Sequence, residues 1–394
     1  MFKLFYWGVL ARFINTFVKV ESKHWVFAAD FGNSYREGSK YLQLYMLKEH
    51  PDYECTFITR NKEVVKDLTS KGIPCMYNFS LKAIIEIAKS EAVFTTQVIS
   101  DIRFAYKKTN RKFYYLVHGM PYKKAMAMLP KNYISNIRKL STGKKIVNKI
   151  SYYLTLGYTM SDVSFVSACS DFLAQYQSKE FPNCDTKVLG MPRNDALFNH
   201  QMMSKERWIE GLDEKFVITY MPTHRGYGTG KLSPSPFEGR SDIQQWMRDN
   251  NVVLLVKNHP NMIEKLADKE DTVVLRDITK LRLDPQVCIY HSDVLITDYS
   301  SVWMDYLILQ RPLIFYWYDD FENNDVGSYY DLRAIKPGMF CYDEDELFET
   351  IKIIKMNYNN MRPSADVISK YHKYIDGNSC NRYFEAVNLD LRKK

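Results

Sequence analysis

Two histidines of this 394-residue chain each follow a short apolar segment, where a side chain could exchange a proton with a ligand. His118 comes after YYLV and before Gly119, whose lack of a side chain lets the backbone turn sharply and approach a ligand closely. Imidazole gains and loses a proton near neutral pH, so His118 is a candidate general base. A single histidine at a strand end is more often a structural residue, so this interpretation needs support from its surroundings.

His259 lies in the cluster Lys257-Asn258-His259-Pro260, which follows the apolar segment VVLLV. A lysine beside an imidazole suits a diphosphate, because Lys257 can balance its charge and His259 can donate a hydrogen bond to it. The alternative is an ordinary turn at a strand end with an exposed lysine. Two histidine clusters of this kind point toward chemistry on a phosphate.

Three further polar clusters follow apolar segments in the same way. Arg193 and Arg225 each come shortly after a proline and are predicted to hold phosphate oxygens through paired N–H groups. Ser300 or Ser301 would cap a helix whose unpaired backbone N–H groups receive phosphate oxygens, although capping alone also explains them. Asp298 is expected to orient a neighbour rather than act as a nucleophile. The other predicted substrate-binding residues are Asn194, Asp195, Thr223, Thr297 and, in the following helix, Asp305.

The segments before these clusters have the pattern of strands, and helical segments alternate with them. ECTFITRN and IPCMYN are typical of strands, whereas Lys62–Gly72 and Leu81–Lys89 are typical of helices. This alternation predicts parallel βαβ units and doubly wound α/β sheets. Ligands bind beyond the carboxyl ends of the strands in such sheets, so all five clusters are expected to face one cleft.

The strand and helix pattern begins again at FVITYMPTHRG, which indicates two successive α/β domains. We predict domains over residues 23–205 and 206–394, preceded by a separate segment, 1–22. The acidic run from Asp343 to Glu346 is predicted to form the first turn of a helix rather than a metal site.

Two segments have the character of membrane-surface helices. In MFKLFYWGVLARFINTFVKV the apolar residues recur at helical spacing, while Lys3, Arg12 and Lys19 make the segment too charged for a comfortable transmembrane helix. An amphipathic helix lying in the membrane interface is predicted, and a helix packed on the protein's own core is the alternative. The basic segment from Lys131 to Lys149 fits a membrane surface and an ordinary solvated helix face equally well.

Composition narrows the possible classes of protein. The net charge of +8 favours anionic partners, and the seven cysteines form no CxxC pair. The cysteine pattern argues against a disulfide framework or a zinc site and for a reducing compartment. The phosphate loop GxxxxGK[ST], the dinucleotide fingerprint GxGxxG and the hydrolase motifs HExxH and GxSxG are all missing. Nucleic-acid binding is disfavoured because the basic residues lie beside apolar faces and no recognised motif is present.

Six motifs together resemble those of the CDP-glycerol glycerophosphotransferase family, whose members build teichoic acids and related polyol-phosphate polymers. They are LVHGMPYKK, GMPRNDALF, YMPTHRG, VKNHP, DVLITDYSSVWMDYLILQRPLIFYWYD and DGNSCNR. The resemblance implies a GT-B-type fold of two Rossmann-like domains facing a cleft, with membrane and acceptor binding in the first and donor binding in the second. It also implies two essential histidines, His118 and His259. The family commonly has WHGTPLK and APTWR where this chain has VHGMPYK and MPTHR, a departure that keeps the histidine and bears on the acceptor.

The resemblance implies transfer of glycerol phosphate from CDP-glycerol to a lipid-diphosphate-linked saccharide, with release of CMP. A short priming enzyme is expected, peripheral to the cytoplasmic face of a bacterial membrane, with an anionic membrane surface as partner and self-association left open. No cofactor and no metal ligand are expected, since CDP-glycerol is a substrate, and a metal requirement stays open. The alternatives are a CDP-ribitol-dependent transferase, a GT-B glycosyltransferase using a sugar nucleotide, and a non-catalytic module that binds anionic lipid.

Overall fold

The structure, a computed structural model, divides into two compact units. It describes residues 2–129, 154–204, 208–223, 235–258, 274–319 and 327–393. The first unit comprises Met1–Met120, Ala125–Asp195 and Asp376–Lys394. The second unit comprises Pro121–Lys124 and Ala196–Ile375.

The first unit is built on a seven-stranded sheet in the order β3-β2-β1-β4-β5-β6-β7. Every neighbouring pair of these strands is parallel. The chain order reverses between β1 and β4, which makes this the point where ligands bind in open α/β sheets. The strands are β1 His24–Phe27, β2 Glu54–Thr59, β3 Cys75–Tyr77, β4 Ala92–Thr95, β5 Lys112–Tyr115, β6 Val163–Ala168 and β7 Asp185–Val188.

Helices cover both faces of this sheet, because successive residues of a strand point to opposite sides. Trp25 and Phe27 of β1 lie in one core with Leu42 and Met46. Val26 lies in a second core with residues of the helix that precedes β4. The described helices of the first unit are α1 Phe2–Phe17, α2 Glu37–Glu49, α3 Lys62–Ser70, α4 Leu81–Lys89, α5 Asp171–Glu180 and, last in the sequence, α13 Ser379–Leu391.

The C-terminal helix α13 belongs to the first unit, contrary to the predicted domain of 206–394. Cys380, Tyr383 and Val387 are buried in the same core as Trp25. Tyr45 on α2 also donates a hydrogen bond to Asn381 Oδ1 at 3.0 Å. An apolar face shows that a helix packs on a sheet but not which of two sheets it covers, so the pattern alone misplaced it. The predicted division after residue 205 likewise lies inside the second unit.

The N-terminal helix α1 packs on the first unit through one side only. Ala11 is buried in a small core with Ile84, Phe104 and Tyr106. The opposite side carries a row of exposed apolar and aromatic side chains. These are Phe5, Tyr6, Val9, Phe13 and Phe17. Within the described residues, none of the helices combines the length and the apolar character needed to cross a membrane.

The second unit is built on a six-stranded sheet in the order β10-β9-β8-β11-β12-β13, again with all neighbouring strands parallel. The chain order reverses between β8 and β11. The predicted α/β class with parallel sheets is therefore confirmed in both units. The strands are β8 Phe216–Met221, β9 Val252–Val256, β10 Leu275–Asp277, β11 Val294–Thr297, β12 Leu313–Tyr316 and β13 Met339–Cys341.

Short helices connect these strands, and the longest of them has the predicted acidic first turn. Asp343 accepts a hydrogen bond from the backbone N–H of Glu346 and so caps α11. The described helices of the second unit are α6 His200–Met203, α7 Ser241–Asp249, α8 Pro285–Tyr290, α9 Val302–Leu307, α10 Leu332–Ile335, α11 Glu344–Asn357 and α12 Ala365–Tyr371.

Candidate active site

His118 stands beyond the carboxyl end of β5, held by a buried carboxylate. Its Nδ1 lies 3.3 Å from Oε1 of Glu37, the first residue of α2. Arg193 donates through Nη1 to Glu37 Oε2 at 2.8 Å and to the backbone oxygen of His118 at 2.6 Å. The His118 side chain is 47% exposed, whereas those of Glu37 and Arg193 are 9% and 7% exposed. This Glu37–His118–Arg193 cluster therefore presents one side of an imidazole to solvent and fixes the other.

The backbone is strained where the two segments of the cluster meet. Glu37 has a φ of 63° and Val117 a φ of 39°, values that side-chain-bearing residues rarely adopt. A Cβ atom built on Gly38 would lie 3.2 Å from the Cβ of Leu116, so glycine there lets α2 approach the segment after β5. Ser39 adds a hydrogen bond to the oxygen of Ala28 at 2.8 Å. The fold thus holds Glu37 against His118 at a local conformational cost.

The charge on Glu37 determines which nitrogen of the His118 imidazole can accept a proton. Burial alone would raise the pKa of this carboxyl group, but its electrostatic interactions with His118, Arg193 and Arg36 and its hydrogen bond with His118 outweigh that effect and hold the pKa well below its ordinary value. An ionised carboxylate beside Nδ1 favours the tautomer that carries its proton there. The exposed Nε2 is then the nitrogen able to accept a proton.

The other predicted residues of this unit have internal partners. Asp195 accepts hydrogen bonds from the backbone N–H groups of Ser379, at 2.9 Å, and Cys380, at 2.6 Å, at the start of α13. Burial raises the pKa of Asp195 while these hydrogen bonds oppose the rise. Asn194 is buried beside it, and Gly119 directly follows His118. Among the described side chains of this predicted set, only the His118 imidazole is substantially exposed.

In the second unit, Asp298 joins the carboxyl ends of β8 and β11. Its Oδ1 accepts hydrogen bonds from the backbone N–H of Thr223 at 2.8 Å, from Thr223 Oγ1 at 2.6 Å and from the N–H of Tyr299 at 2.5 Å. Thr297 Oγ1 donates to the oxygen of Met221 at 2.7 Å. Trp317 stacks on Tyr299 at 4.9 Å and donates from Nε1 to the oxygen of Asp298 at 3.3 Å. We call Thr223, Thr297, Asp298 and Tyr299 the Asp298 cluster.

Lys257 and Asn258 follow β9, the strand next to β8. The N–H of Asn258 donates to Thr279 Oγ1 at 2.8 Å, which fixes the turn after the strand. Lys257 is 6% exposed, and among the described residues it makes no ion pair. A nearly buried lysine side chain at a strand end suits an anionic ligand. His259 and Arg225 lie outside the described residues.

The serines before α9 cap this helix less well than their position suggests. Ser300 Oγ accepts from the N–H of Val302 at 3.5 Å, at the limit of a hydrogen bond, and the side chain of Ser301 makes no capping hydrogen bond. Asp305 is buried within α9. Its predicted contact with substrate would require access to the interior of the unit.

Sequence reasoning missed Glu37 because it considered five strand ends and omitted the first. The loop DFGNSYREG after β1 carries several charged residues, and no single one stands out by type. The signal that could have identified this residue is a glutamate directly before a glycine, Glu37-Gly38, at the start of a helix. In a doubly wound sheet the loops after β1 and β5 lie at the same edge, so a carboxylate there is a natural partner for His118.

The chain is similar to known proteins in sequence and in fold. Residues 10–389 match the family described as CDP-Glycerol:Poly(glycerophosphate) glycerophosphotransferase. The chain is 29% identical over 252 residues to the teichoic acid glycerol-phosphate primase of Bacillus subtilis (strain 168), a match covering 62% of this chain and 60% of the primase. It is 25% identical over 385 residues to the teichoic acid glycerol-phosphate transferase of Staphylococcus aureus (strain NCTC 8325 / PS 47), covering 94% of each.

A solved structure extends the likeness to the fold. The wall teichoic acid polymerase TagF superposes with a TM-score of 0.74 at 20% identity, covering 98% of this chain and 94% of that chain. At this identity the likeness shows the shared fold alone. The family match over most of the sequence confirms the resemblance of the six motifs. The chain therefore belongs to the CDP-glycerol:poly(glycerophosphate) glycerophosphotransferase family and is an enzyme of that class.

Proposed function

We propose that this glycerophosphotransferase moves glycerol phosphate from CDP-glycerol to a hydroxyl group of a lipid-diphosphate-linked saccharide. The acceptor oxygen attacks the β-phosphorus, a new P–O bond forms, and the bond to the α-phosphate oxygen breaks to release CMP. The observation that carries the proposal is the half-exposed His118 imidazole, whose Nδ1 lies 3.3 Å from the buried carboxylate of Glu37. The names of the primase and transferase relatives support glycerol phosphate as the group transferred.

In this proposal His118 Nε2 accepts the proton of the attacking hydroxyl group. Glu37 positions the imidazole and stabilises the imidazolium that forms, and Arg193 keeps Glu37 ionised and oriented. Arg193 donates hydrogen bonds to Glu37 and to the backbone oxygen of His118, so we assign it a positioning role in place of the phosphate clamp expected from the sequence. Asn194 and Asp195 would help to hold the chain segment around Arg193 in place.

The donor would be held by the second unit. Lys257 supplies a buried positive charge for the diphosphate, and the Asp298 cluster holds the loops after β8 and β11 where phosphate oxygens would bind. Phosphoryl transfer depends mainly on positioning and on charge stabilisation, which suits a rigid set of donors. His259, Arg225, Ser300 and Ser301 are proposed to complete this site.

The proposal includes a GT-B-type arrangement, with an acceptor domain and a donor domain facing a cleft. Its support is that each unit is a parallel sheet whose strand order reverses once. Peripheral attachment to the cytoplasmic face of the membrane is supported by the exposed side of α1, which carries Phe5, Phe13 and Phe17. The basic segment Lys131–Lys149, proposed as a second attachment, lies outside the described residues.

A panel of donors tests the function. The full chain, incubated with a lipid-diphosphate-linked saccharide and CDP-glycerol, should release CMP and give a product heavier by one glycerol phosphate in mass spectrometry. CDP-ribitol and UDP-sugars run in parallel as rival donors. Release of CMP only from CDP-ribitol, or of UDP from a sugar nucleotide, would replace the proposed substrate, and turnover of none would overturn it.

A further inference from the structure

A second cluster of ionisable groups lies at the opposite edge of the first sheet from His118. His24 is the first residue of β1, Glu54 is the first residue of β2, and Glu86 lies on α4. His118 and Glu37 instead lie beyond the carboxyl ends of strands. The cluster is therefore remote from the proposed site of phosphoryl transfer and needs its own explanation.

The spacing of the cluster is that of a metal coordination sphere. His24 Nδ1 lies 3.5 Å from Glu86 Oε1 and 3.7 Å from Glu54 Oε2. All three ligand atoms fall within 4.8 Å of one another, and this is the one such group in the part of the chain that the structure describes. A tetrahedral ion bound at about 2.0–2.2 Å places its ligand atoms about 3.3–3.6 Å apart. Small side-chain rotations would bring the three atoms onto one ion.

Burial leaves the key atoms of this cluster without hydrogen bonds. The His24 side chain is 9% exposed and that of Glu86 is 12% exposed. His24 Nδ1 and Glu86 Oε1 are both inaccessible to solvent and have no hydrogen-bond partner. Buried polar atoms are nearly always paired because an unpaired one destabilises the fold. A cation between them would satisfy both at once.

The other ring nitrogen of His24 has the partner that a metal-bound histidine usually has. Nε2 lies 3.1 Å from Glu21 Oε2. Metal-ligating histidines commonly donate their second N–H to a carboxylate, which fixes the tautomer and aims the free lone pair at the ion. With the proton on Nε2, the lone pair of Nδ1 points into the cluster. Lys89 Nζ lies 3.2 Å from Glu21 Oε1 and pairs with this outer carboxylate.

The charges of the cluster call for a divalent cation. Glu21, Glu54 and Glu86 carry three negative charges, and Lys89 carries one positive charge. A divalent ion bound among them balances this net charge of two.

We propose that His24 Nδ1, Glu54 and Glu86 bind a divalent transition-metal ion of the Zn²⁺ class, with water as the fourth ligand and Glu21 in the outer shell. One imidazole and two carboxylates suit Zn²⁺, whereas Mg²⁺ and Ca²⁺ prefer oxygen ligands throughout. The ion joins the starts of β1 and β2 to α4. The sequence gives no hint of it, since the ligands are not cysteines and no motif connects them.

Titration calorimetry and melting curves test the site. The full chain, stripped of metal with a chelator, should bind Zn²⁺ at one site and melt at a higher temperature in its presence. Glu54→Gln should weaken binding by at least about tenfold, and Glu21→Gln by about tenfold. The Glu54 side chain is 70% exposed, so the Glu54→Gln variant should fold normally.

Two control variants exclude other zinc sites. Glu63→Gln replaces an exposed carboxylate of the neighbouring α3, and His118→Ala removes the exposed imidazole beside Glu37. Both should bind Zn²⁺ as the wild type does. Absence of saturable binding by the wild type would overturn the proposal, as would wild-type affinity in Glu54→Gln or loss of binding in His118→Ala.

Discussion

The clusters at the carboxyl ends of the two sheets are built from different chemistry. The Glu37–His118–Arg193 cluster is ionic and ends in an imidazole that is 47% exposed. The Asp298 cluster is a buried network of hydroxyl and backbone donors around one carboxylate, with a nearly buried Lys257 on the next strand. Proton transfer needs an accessible base with a fixed tautomer, whereas anion binding needs rigid donors and positive charge. The two clusters thus differ in the way that the two roles proposed for them, proton transfer and anion binding, require.

The largest effect should come from removing the imidazole itself. His118→Ala is expected to lower kcat for CMP release by about 10³-fold or more, because no other described side chain is placed to accept the proton. KM for CDP-glycerol should change little if the donor binds to the second unit. Steady-state kinetics with a lipid-linked acceptor measures both constants.

His200→Ala is the matched control, because His200 is also exposed but belongs to the second unit, where its Nδ1 lies 2.5 Å from the hydroxyl oxygen of Tyr290. It should retain wild-type kcat. Near-normal turnover in His118→Ala would show that the Glu37–His118–Arg193 cluster does not carry out proton transfer. It would contradict the proposed division of roles.

Local patterns in the sequence predicted much of this architecture, including the helix Leu81–Lys89 with its observed bounds. They also placed His118 at the end of a strand. Which side chains meet across strands depends on strand order, and periodicity does not contain that order. For this reason Glu37 and the cluster around His24 were missed, and the helix Ser379–Leu391 was assigned to the wrong unit.

Removing the charge of Glu37 while keeping its shape tests whether the first cluster is truly ionic. Glu37→Gln should lower kcat by about 10²-fold with little change in KM, since the amide no longer stabilises an imidazolium. Glu49→Gln, at the exposed end of the same helix, is the control and should behave as wild type. A rise in KM with unchanged kcat would mean that Glu37 serves binding rather than positioning.

The same variant has a signature in stability. Because the pKa of Glu37 is held below its ordinary value, its ionised form stabilises the native state above the unfolded pKa of about 4.3. That contribution is lost as the pH falls from there toward the folded pKa. The unfolding free energy of the wild type relative to Glu37→Gln should therefore be larger near pH 7 than near pH 3 in urea titrations. An equal difference in unfolding free energy at the two pH values would contradict the ionic interpretation.

Lys257→Met removes the buried positive charge of the second unit while keeping its length. KM for CDP-glycerol should rise by about tenfold, and stability should be unchanged or higher because an ammonium group is costly to bury. Lys215→Met, just before the other end of β8, is the control and should leave KM unchanged. Loss of stability without loss of donor affinity would show that Lys257 is structural.

The smallest effect should follow Thr223→Val, which removes one of the hydrogen bonds that Asp298 accepts. The backbone N–H of Thr223 still donates to Asp298 at 2.8 Å, so the loss should be about 1 kcal/mol in the free energy of unfolding, measured in urea. Thr16→Val, which removes an exposed hydroxyl group from α1, should change stability by less than about 0.5 kcal/mol. If the two variants are equally stable, the hydroxyl network does not rigidify the second cluster, and preorganised anion binding has to come from Lys257 alone.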